Sequence, residues 1–552
     1  MTAGPSGRTP STTPTGHASD AVHQQHPGEG LPRCGRPLTL SAVASTRPTL
    51  VAVSAPPVVD NALLAALRAD LASADFTVDA VADSLGPVAV AALRREQAIP
   101  GELVTRDRRD PLSVLIRLLT LGRPVASGDV DAALPTLGGD GLLRLGLATR
   151  EDGQVRAACD LRPHADEFRG WWVASDLSEI ETGEALHEDH VLGIGGASMT
   201  LAAWTIRRDV NQALDIGTGC GVQAFHLGAH CRTIVGTDVS ERALGYARFN
   251  AALAGLELDL RRGDLFEPVS GQRFDLIVSN PPFVITPRAE GVPAFEYRDG
   301  GLVGDGIVER LVRTVGEHLE PGGVAQLLGN WEIRPGGTWQ DRWREWLSGT
   351  GLDAWVLQRE VQDPAEYAEL WSRDGGSHRG VEGFEHLYAA WVADFAARDV
   401  ASIGFGVVTL QRPRKARAPW VDLAEVTGAV APAMGPVVEA GLAARTWLAE
   451  VGAAGLLDTA WRCAPDVTKE RHTRPGADDP GVIMIRQGGG LRRSVQADTV
   501  VAGLVSVCDG SLTARQALEA IARLLELDAA AVVAAALPTL HDLVADGLLV
   551  RD

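Results

Sequence analysis

Short apolar runs that end in polar residues recur through the middle of the chain. The first four cover residues 213–216, 233–238, 258–264 and 276–278, and later runs cover 324–328, 354–358 and 403–410. Such runs are typical of strands buried on both faces of a parallel sheet. Apolar residues at helical spacing fill several intervals, at 222–227, 240–253 and 307–319. Strands that alternate with helices predict an α/β fold with a Rossmann-like sheet of seven strands.

The pattern on either side of this region is different. Amphipathic helices are predicted at 62–71, 88–93 and 112–121, and two shorter ones at 130–134 and 141–145. A Glu151-Asp152-Gly153 turn between apolar residues then predicts a hairpin over 147–155. Helices followed by a hairpin favour a winged-helix-like module, which either binds nucleic acid or protein or serves only in packing. After further helices from about Leu423 and a strand at 482–486, residues 497–552 predict a second such module.

One six-residue sequence occurs twice. Residues 132–137 and 535–540 both read Ala-Ala-Leu-Pro-Thr-Leu, and Asp-Gly-Leu-Leu follows each copy within a few residues. The match predicts two related modules that flank the centre, and the alternative is coincidence in alanine-rich sequence.

These patterns divide the chain into four predicted parts. Residues 1–55, rich in Pro, Ser, Thr, Gly and His, bury too little apolar surface to fold and are expected to form a disordered tail, including His17, His23 and His26. Residues 56–170 form a helical, winged-helix-like domain, 171–412 the α/β domain, and 413–552 an accessory domain.

Composition narrows the class of protein. The 552 residues carry 51 basic and 71 acidic side chains, a net charge of −20, which disfavours binding of nucleic acid over the whole surface but allows a local basic patch. The six cysteines form no C-x-x-C pair, so a metal site is not expected and a reducing compartment is. Without a signal-peptide pattern or a run of eighteen apolar residues, the chain is expected to be cytoplasmic and not bound to a membrane.

Three further patterns receive structural interpretations. Trp339, Trp343 and Trp346 lie at helical spacing and predict a core stripe. The basic run 412–417 is expected to be a solvated linker. The sequence His187-Glu188-Asp189-His190 is one residue short of the H-E-x-x-H spacing and is expected to be a solvated loop.

The strand at 276–278 ends in Asn280-Pro281-Pro282-Phe283. Two prolines stop both strand and helix, so a rigid loop is expected at the carboxyl end of a parallel strand, where α/β sheets bind ligands. An amide oxygen and a carbonyl can accept both hydrogens of a planar NH2 group, and an aromatic ring can stack on it. The alternative, with a structural role only, is a Pro-Pro turn after a buried strand.

The three preceding strands also end in polar or glycine residues. Asp215 leads into Gly217-Thr218-Gly219-Cys220-Gly221 before a helix, a backbone that a ligand can approach closely. Asp238 ends the second strand and can accept two hydroxyl groups, and Asp264 ends the third.

This ordered set resembles the motifs of class I S-adenosylmethionine-dependent methyltransferases, over about residues 185–330 and more loosely to 412. The Asn-Pro-Pro-Phe loop is similar to that of the small-domain, HemK-like enzymes, which methylate planar nitrogens. The resemblance implies S-adenosyl-L-methionine as cofactor and Asn280, Pro281, Pro282 and Phe283 as catalytic residues. It implies that the cofactor is bound by Asp215, Gly217, Thr218, Gly219, Gly221, Asp238, Asp264, Leu265 and Asn280.

The acceptor is the open question. HemK-like enzymes usually have Tyr at the position of Phe283, and the His that often follows this motif in ribosomal RNA guanine methyltransferases is absent. A protein glutamine amide is favoured, with the exocyclic amine of a nucleobase in RNA or DNA as the alternative. A small metabolite and a non-catalytic nucleic-acid-binding scaffold are further alternatives. The mechanism that the resemblance implies needs neither a metal nor a general base.

Overall fold

A computed structural model describes residues 55–182, 186–289, 292–374, 383–476 and 479–551. The predicted tail up to residue 54, with its three histidines, lies outside the described residues.

A mixed sheet forms the centre of the molecule, and among the described residues it has eight strands. In chain order these are β6 (Val210–Ile216), β7 (Cys231–Asp238), β8 (Asp259–Arg262), β9 (Phe274–Ser279), β10 (Leu319–Ile333), β11 (Asp353–Gln362), β12 (Ser402–Gln411) and β13 (Val421–Glu425). Their spatial order is β13-β11-β12-β10-β9-β6-β7-β8, and β12 runs antiparallel to both of its neighbours. The predicted α/β Rossmann-like class is confirmed.

The sheet has one strand more than the seven expected. The additional strand, β13, pairs in parallel with β11 at the edge, beyond the domain end predicted at residue 412. Its sequence, Val-Asp-Leu-Ala-Glu, alternates only over its first three residues, and all five residues are exposed or half-buried, as at the edge of a sheet. That pattern is too short to be distinguished from a helix start, which is how the sequence was interpreted.

Helices cover both faces of the sheet. They are α8 (Gly196–Trp204), α9 (Val222–Leu227), α10 (Glu241–Ala254), α11 (Gly306–Thr314), α12 (Trp339–Leu347), α13 (Pro364–Asp374) and α14 (Phe384–Ala397). Helix α10 begins where Ser240 accepts a hydrogen bond from the Ala243 N–H, and it ends at Gly255 in the left-handed region. The three tryptophans of α12 are buried in the core, as predicted.

Before the sheet lies a helical module. Its elements are α1 (Asn61–Ser73), α2 (Val78–Leu93), α3 (Ile99–Thr105), α4 (Pro111–Leu115) continued by a π-helix (Ile116–Thr120), β1 (Val125–Ala126), α5 (Ser127–Ala133), α6 (Gly138–Leu145), β2 (Ala148–Glu151) and β3 (Gln154–Ala157). Strand β3 lies between β1 and β2, and Asp152 and Gly153 both have positive φ in the hairpin turn. This order agrees with the predicted winged-helix-like arrangement.

The helical module shares its core with the central domain. Strands β4 (Asp160–Ala165) and β5 (Gly170–Ser175) form a hairpin, and α7 (Glu179–Thr182) follows it. The fully buried Asn250 of α10 accepts a hydrogen bond from Ala174 N–H at 2.8 Å and donates to the carbonyls of Ala174 and Cys220. This side chain therefore joins β5 to the glycine-rich turn that follows β6.

After the sheet come α15 (Gly435–Leu457), β14 (Ala460–Cys463), β15 (Val467–His472), β16 (Val482–Gln487), β17 (Ser494–Ala497), α16 (Thr499–Val507), β18 (Asp509–Thr513), α17 (Ala514–Leu524), α18 (Ala529–Ala545) and β19 (Leu549–Val550). The buried Arg445 of α15 packs on Trp355 of β11, with 3.7 Å from Cζ to the ring centre, and pairs with Asp422 and Asp546. It joins this C-terminal part to the edge of the central sheet.

Residues 497–552, predicted as a second winged-helix-like module, share their sheet with a strand from outside that range. The central strand of the sheet β18-β14-β19 comes from β14, at residues 460–463, and no hairpin follows α18 within the described chain. Hairpin signals are local, whereas here the third strand comes from a distant segment.

The two copies of Ala-Ala-Leu-Pro-Thr-Leu also differ in structure. In the first copy α5 ends at Ala133, and Pro135 lies in the turn before α6. In the second copy all six residues, with Pro538, lie inside α18. The copies therefore occupy different places in their modules, and the match does not support an internal repeat.

The basic run 412–417 is not only a solvated linker. Arg417 Nη1 lies 2.7 Å from the buried carboxylate of Asp353, and Arg412 Nη1 donates to the Leu319 carbonyl at 2.9 Å. Within the described residues, no single helix is long and apolar enough to cross a membrane. Among the same described residues, α1 and α2 taken together, with a bend of 50° between them, have the length and composition of a membrane-spanning segment.

Candidate active site

A cavity of about 270 Å³ lies at the carboxyl ends of β6, β7, β8 and β9. It is lined by nine of the predicted site residues: Gly217, Thr218, Gly219, Asp238, Asp264, Leu265, Asn280, Pro281 and Pro282. Three others, Asp215, Gly221 and Phe283, are not part of its wall. The four strand ends identified in the sequence therefore meet at one site, as the parallel order requires.

The glycine-rich turn after β6 has an open, left-handed backbone. Gly217 and Gly219 have φ of 68° and 56°, and no atom lies within 4 Å of where a Cβ would stand on either. Gly221, with φ 96°, has Phe225 behind it at 3.1 Å from that position. The first two glycines thus leave room for a ligand against the backbone, whereas Gly221 allows the turn to pack onto α9.

Asp215 stabilises this turn through a hydrogen bond. Its carboxylate is fully buried, and Oδ2 accepts a hydrogen bond of 2.7 Å from the hydroxyl of Thr218. Burial raises the pKa of Asp215 to about 7, against the opposing effect of that hydrogen bond. Asp215 is therefore a residue that shapes the turn and has no direct contact with the cavity.

Asp238 connects the turn to the next strand. Its Oδ2 accepts from Gly219 N–H and its Oδ1 from Ser240 N–H, both at 2.9 Å. Burial raises the pKa of Asp238 in spite of these two bonds. A carboxylate has about four lone-pair sites, so each oxygen can still accept one hydroxyl group from a ligand in the cavity.

The third strand end contributes Asp264 and Leu265. Asp264 is half exposed and pairs with Arg310 at 2.7 Å. Leu265 has a positive φ of 48°, and its carbonyl accepts a hydrogen bond from Thr237. The strained conformation turns the backbone of this loop along the wall of the cavity.

Asn280 places an unpaired hydrogen-bond acceptor at the cavity. Its Nδ2 approaches the Ser198 hydroxyl of α8 at 3.5 Å, while Oδ1 is buried without a hydrogen-bond partner in the described chain. An unpaired buried amide oxygen costs about 1–3 kcal/mol. A ligand N–H group that reached this oxygen would remove that cost.

Of the four predicted catalytic residues, Phe283 is the one that does not reach the cavity. Its ring is 8% exposed and packs in the core, 5.6 Å from the ring centre of Phe405. The expected stacking on a ligand therefore finds no support. The Phe283 N–H donates to the Pro281 carbonyl at 2.7 Å, and this tight turn directs the side chain away from the wall.

Several wall residues were not among the predicted site residues, including Ser198, Gln223, His190 and Tyr297. His190 is buried, so the prediction of a solvated loop was wrong for this residue. Its ring lies edge-on to Tyr297 at 5.9 Å, and the Glu296 N–H donates to the Glu188 carbonyl at 2.8 Å. The loops that carry His190 and Tyr297 together close one side of the cavity. The spacing of residues along the sequence does not predict this contact.

The wall has a clear charge preference. Four carboxylates line the cavity, and none of its described lining residues is Lys or Arg. Two of the carboxylates are paired, Asp264 with Arg310 and Asp299 with Arg288. Asp238 and Glu296 leave a negative potential that favours a cationic ligand. Among the described residues, no group of three or more His, Cys, Asp or Glu side chains is arranged to hold a metal ion.

Residues 196–335 match the family described as methyltransferase small domain. The central domain is a class I methyltransferase domain of the small-domain, HemK-like group. The flanking regions match two families described as domains of unknown function, DUF7059 over residues 73–158 and DUF7782 over 439–551.

Similar curated proteins match this methyltransferase domain alone. The ribosomal protein uL3 glutamine methyltransferase of Bradyrhizobium diazoefficiens is 37% identical over 125 residues, 21% of this chain and 39% of that protein. The release factor glutamine methyltransferase of Geobacter sulfurreducens is 40% identical over 119 residues, 20% of this chain and 42% of that protein. The chain thus spans about two fifths of these relatives.

Proposed function

We propose that the chain is an S-adenosylmethionine-dependent N-methyltransferase whose acceptor is the side-chain amide of a glutamine in a protein. The observation that carries the proposal is the unpaired, buried Oδ1 of Asn280 in the wall of the cavity. The relatives that match the methyltransferase domain, named as glutamine methyltransferases, support the same acceptor.

The cavity suits S-adenosylmethionine in shape and charge. The open backbone at Gly217 and Gly219 leaves room for its methionine and ribose side, and Asp238 is proposed to accept the ribose hydroxyls. Asp264 and the backbone at Leu265 are proposed to hold the adenine. The negative wall offsets the sulfonium and ammonium charges of the cofactor.

Asn280 and the Pro281 carbonyl are proposed to act on the acceptor nitrogen. S-adenosylmethionine, when bound, supplies an electrophilic methyl group. An amide nitrogen is a poor nucleophile because its lone pair is delocalised. When Asn280 Oδ1 accepts one of its hydrogens, the NH2 group is held in a fixed plane and the nitrogen becomes more electron-rich. The Pro281 carbonyl, already bonded to Phe283 N–H, keeps a second lone pair for the other hydrogen. Most of the acceleration then comes from position and local electrostatics.

The charge of the wall supports a protein acceptor over a nucleic acid. A nucleobase would bring phosphate groups close to Asp238 and Glu296, and no described Lys or Arg of the wall would compensate. A glutamine side chain is neutral and brings no such charge to this site.

Asp238→Ala is expected to weaken cofactor binding at least about tenfold while the fold stays intact. A charge-assisted hydrogen bond contributes about 1.5–3 kcal/mol, and 1.4 kcal/mol corresponds to a factor of ten. The variant also frees the Gly219 N–H that Asp238 holds. Calorimetric titration with S-adenosylmethionine measures the change. Asp259→Ala, which removes a half-exposed carboxylate at the start of β8, is the charge-matched control. Equal affinities of wild type and Asp238→Ala would contradict the assignment.

Labelling with tritiated S-adenosylmethionine tests the acceptor class. Lysate is incubated with the enzyme or with the Asn280→Ala variant, and then treated with ribonuclease, deoxyribonuclease or protease. The expected label depends on the wild-type enzyme, survives both nucleases and is lost with protease. Label that survives protease but not ribonuclease would overturn the protein acceptor in favour of RNA.

A further inference from the structure

A second polar region lies at the edge of the central sheet opposite the candidate active site. Two cavities of about 1040 and 550 Å³ adjoin there and share Pro321 and Arg414. Their walls come from the segments at the starts of β6, β7, β9, β10 and β11 and from the segment after the antiparallel strand β12. Eight cations line them, and two of these, Arg313 and Arg417, are ion-paired with Glu309 and Asp353. The other six define the basic groove: Arg208, Arg232, Arg273, Arg412, Arg414 and Lys415.

Three of these arginines are oriented by backbone carbonyls. Arg208 donates to the Gly322 carbonyl and Arg412 to the Leu319 carbonyl, both at 2.9 Å, and Arg273 donates to the Glu317 carbonyl at 3.3 Å. A carbonyl fixes a guanidinium without neutralising it. No cation of the groove forms an ion pair within the described chain, so each keeps its charge and free N–H donors.

Two of the arginines meet at a single glycine. The guanidinium of Arg414 lies against Gly322, with Nε 2.7 Å from where a Cβ would stand, and Arg208 bonds to the carbonyl of the same residue. The Arg412 backbone pairs with Gly322 N–H at 2.8 Å, which holds the segment in place. Burial lowers the pKa of Arg208, and the nearby charge of Arg414 adds to this effect, while Glu439 and Asp275 oppose it. An anion between the two guanidinium groups would relieve their repulsion.

The groove also offers hydrogen-bond acceptors. Four carboxylates line it: Glu317 and Glu320 in the larger cavity, and Asp209 and Asp275 in the smaller one. A ribose–phosphate chain has phosphates that the arginines can bind and hydroxyl groups that can donate to the glutamates. The 2′-hydroxyl is the group that distinguishes RNA from DNA.

We propose that the basic groove binds the sugar–phosphate backbone of single-stranded RNA. The inference does not rest on the proposed methyl transfer, since the groove and the cofactor cavity lie at opposite edges of the sheet. The enzyme would then be held on RNA by one edge while the other acts on a protein acceptor.

Fluorescence anisotropy with a labelled single-stranded RNA, without cofactor, tests the proposal. For three to five phosphate contacts, log K is expected to fall with log salt at a slope of roughly −2 to −3.5, at about −0.7 per contact. Arg414→Gln with Lys415→Gln should reduce that slope by about 1.4 and weaken binding at low salt about tenfold. Arg106→Gln with Arg523→Gln, two exposed arginines elsewhere, removes the same charge and should leave affinity unchanged.

Several outcomes would overturn the inference. These are the absence of salt-dependent binding by the wild type, an equal loss in the two double variants, equal affinity for DNA of the same sequence, and equal competition by polyglutamate. If the double variant does not fold, the exposed Lys415→Gln alone should reduce the slope by about 0.7.

Discussion

Asn280→Ala should reduce methyl transfer on the order of 100-fold or more and leave most of the affinity for the cofactor. The substitution removes the unpaired Oδ1 that the proposal assigns to the acceptor NH2. Loss of one preorganised polar group at a reacting centre, or a small misplacement of the acceptor, costs about that much. Cofactor affinity should persist because the glycine turn, Asp238 and Asp264 are unchanged. Tritium transfer and calorimetry on the same preparation measure both quantities.

A matched variant separates this role from a general effect of losing an asparagine. Asn211→Ala makes the same change at an exposed position at the opposite end of β6 and should have wild-type activity. Asn280→Asp keeps acceptor oxygens at the site and should retain more transfer than the alanine variant. If Asn280→Ala lost cofactor affinity and transfer in equal proportion, the residue would belong to the cofactor site, and its role toward the acceptor would be excluded.

The site could be predicted because its polar residues lie at the ends of strands that the sequence pattern defines. Apolar runs defined the strands, and Asp215, Asp238, Asp264 and Asn280 lie at or just past their carboxyl ends. A parallel sheet brings those ends to one edge, so the one-dimensional order was enough to predict the three-dimensional cluster. At the opposite edge of the sheet the amino ends of the parallel strands meet. The groove residues there come from segments far apart in sequence, as Arg208, Arg273 and Arg412 do. Of these three, only Arg412 lies in a recognisable basic run.

Local pattern was insufficient where tertiary contacts decide the structure. The same six residues end a helix at Ala133 but continue one through Pro538. Leu134, which precedes the first proline, leaves the helical region, with φ −123°. In the second copy the buried Ala536 and Leu540 lie in the C-terminal core and keep the segment helical. Packing therefore outweighs the local preference of the proline.

Local pattern was also insufficient for loop residues at the site. His190 was expected in solvent, yet it is buried at the wall because Asp176 accepts from the neighbouring Val191 N–H at 2.7 Å and pairs with Arg242 and Tyr246. These three partners lie 15 to 70 residues from Asp176 in the chain. Phe283 shows the converse case, since a motif residue expected in the cavity packs on Phe405, from β12, instead.

Phe283→Ala should lower the free energy of unfolding of the central domain by about 3–5 kcal/mol, as removal of a buried aromatic ring does. The ring packs on Phe405, and its own segment is tied to the following loop through Val284 N–H, which donates to the Arg298 carbonyl at 2.9 Å. Transfer should fall as well, because this segment carries Pro281 and Pro282. Urea titration measures the stability. Phe283→Leu is the decisive companion, since a nearly volume-conserving change usually costs less than about 1.5 kcal/mol. If packing is the role of the ring, the leucine variant keeps both stability and transfer. If it keeps its stability but loses transfer, the ring stacks on the acceptor, and its buried position against Phe405 is not the one in which the enzyme works.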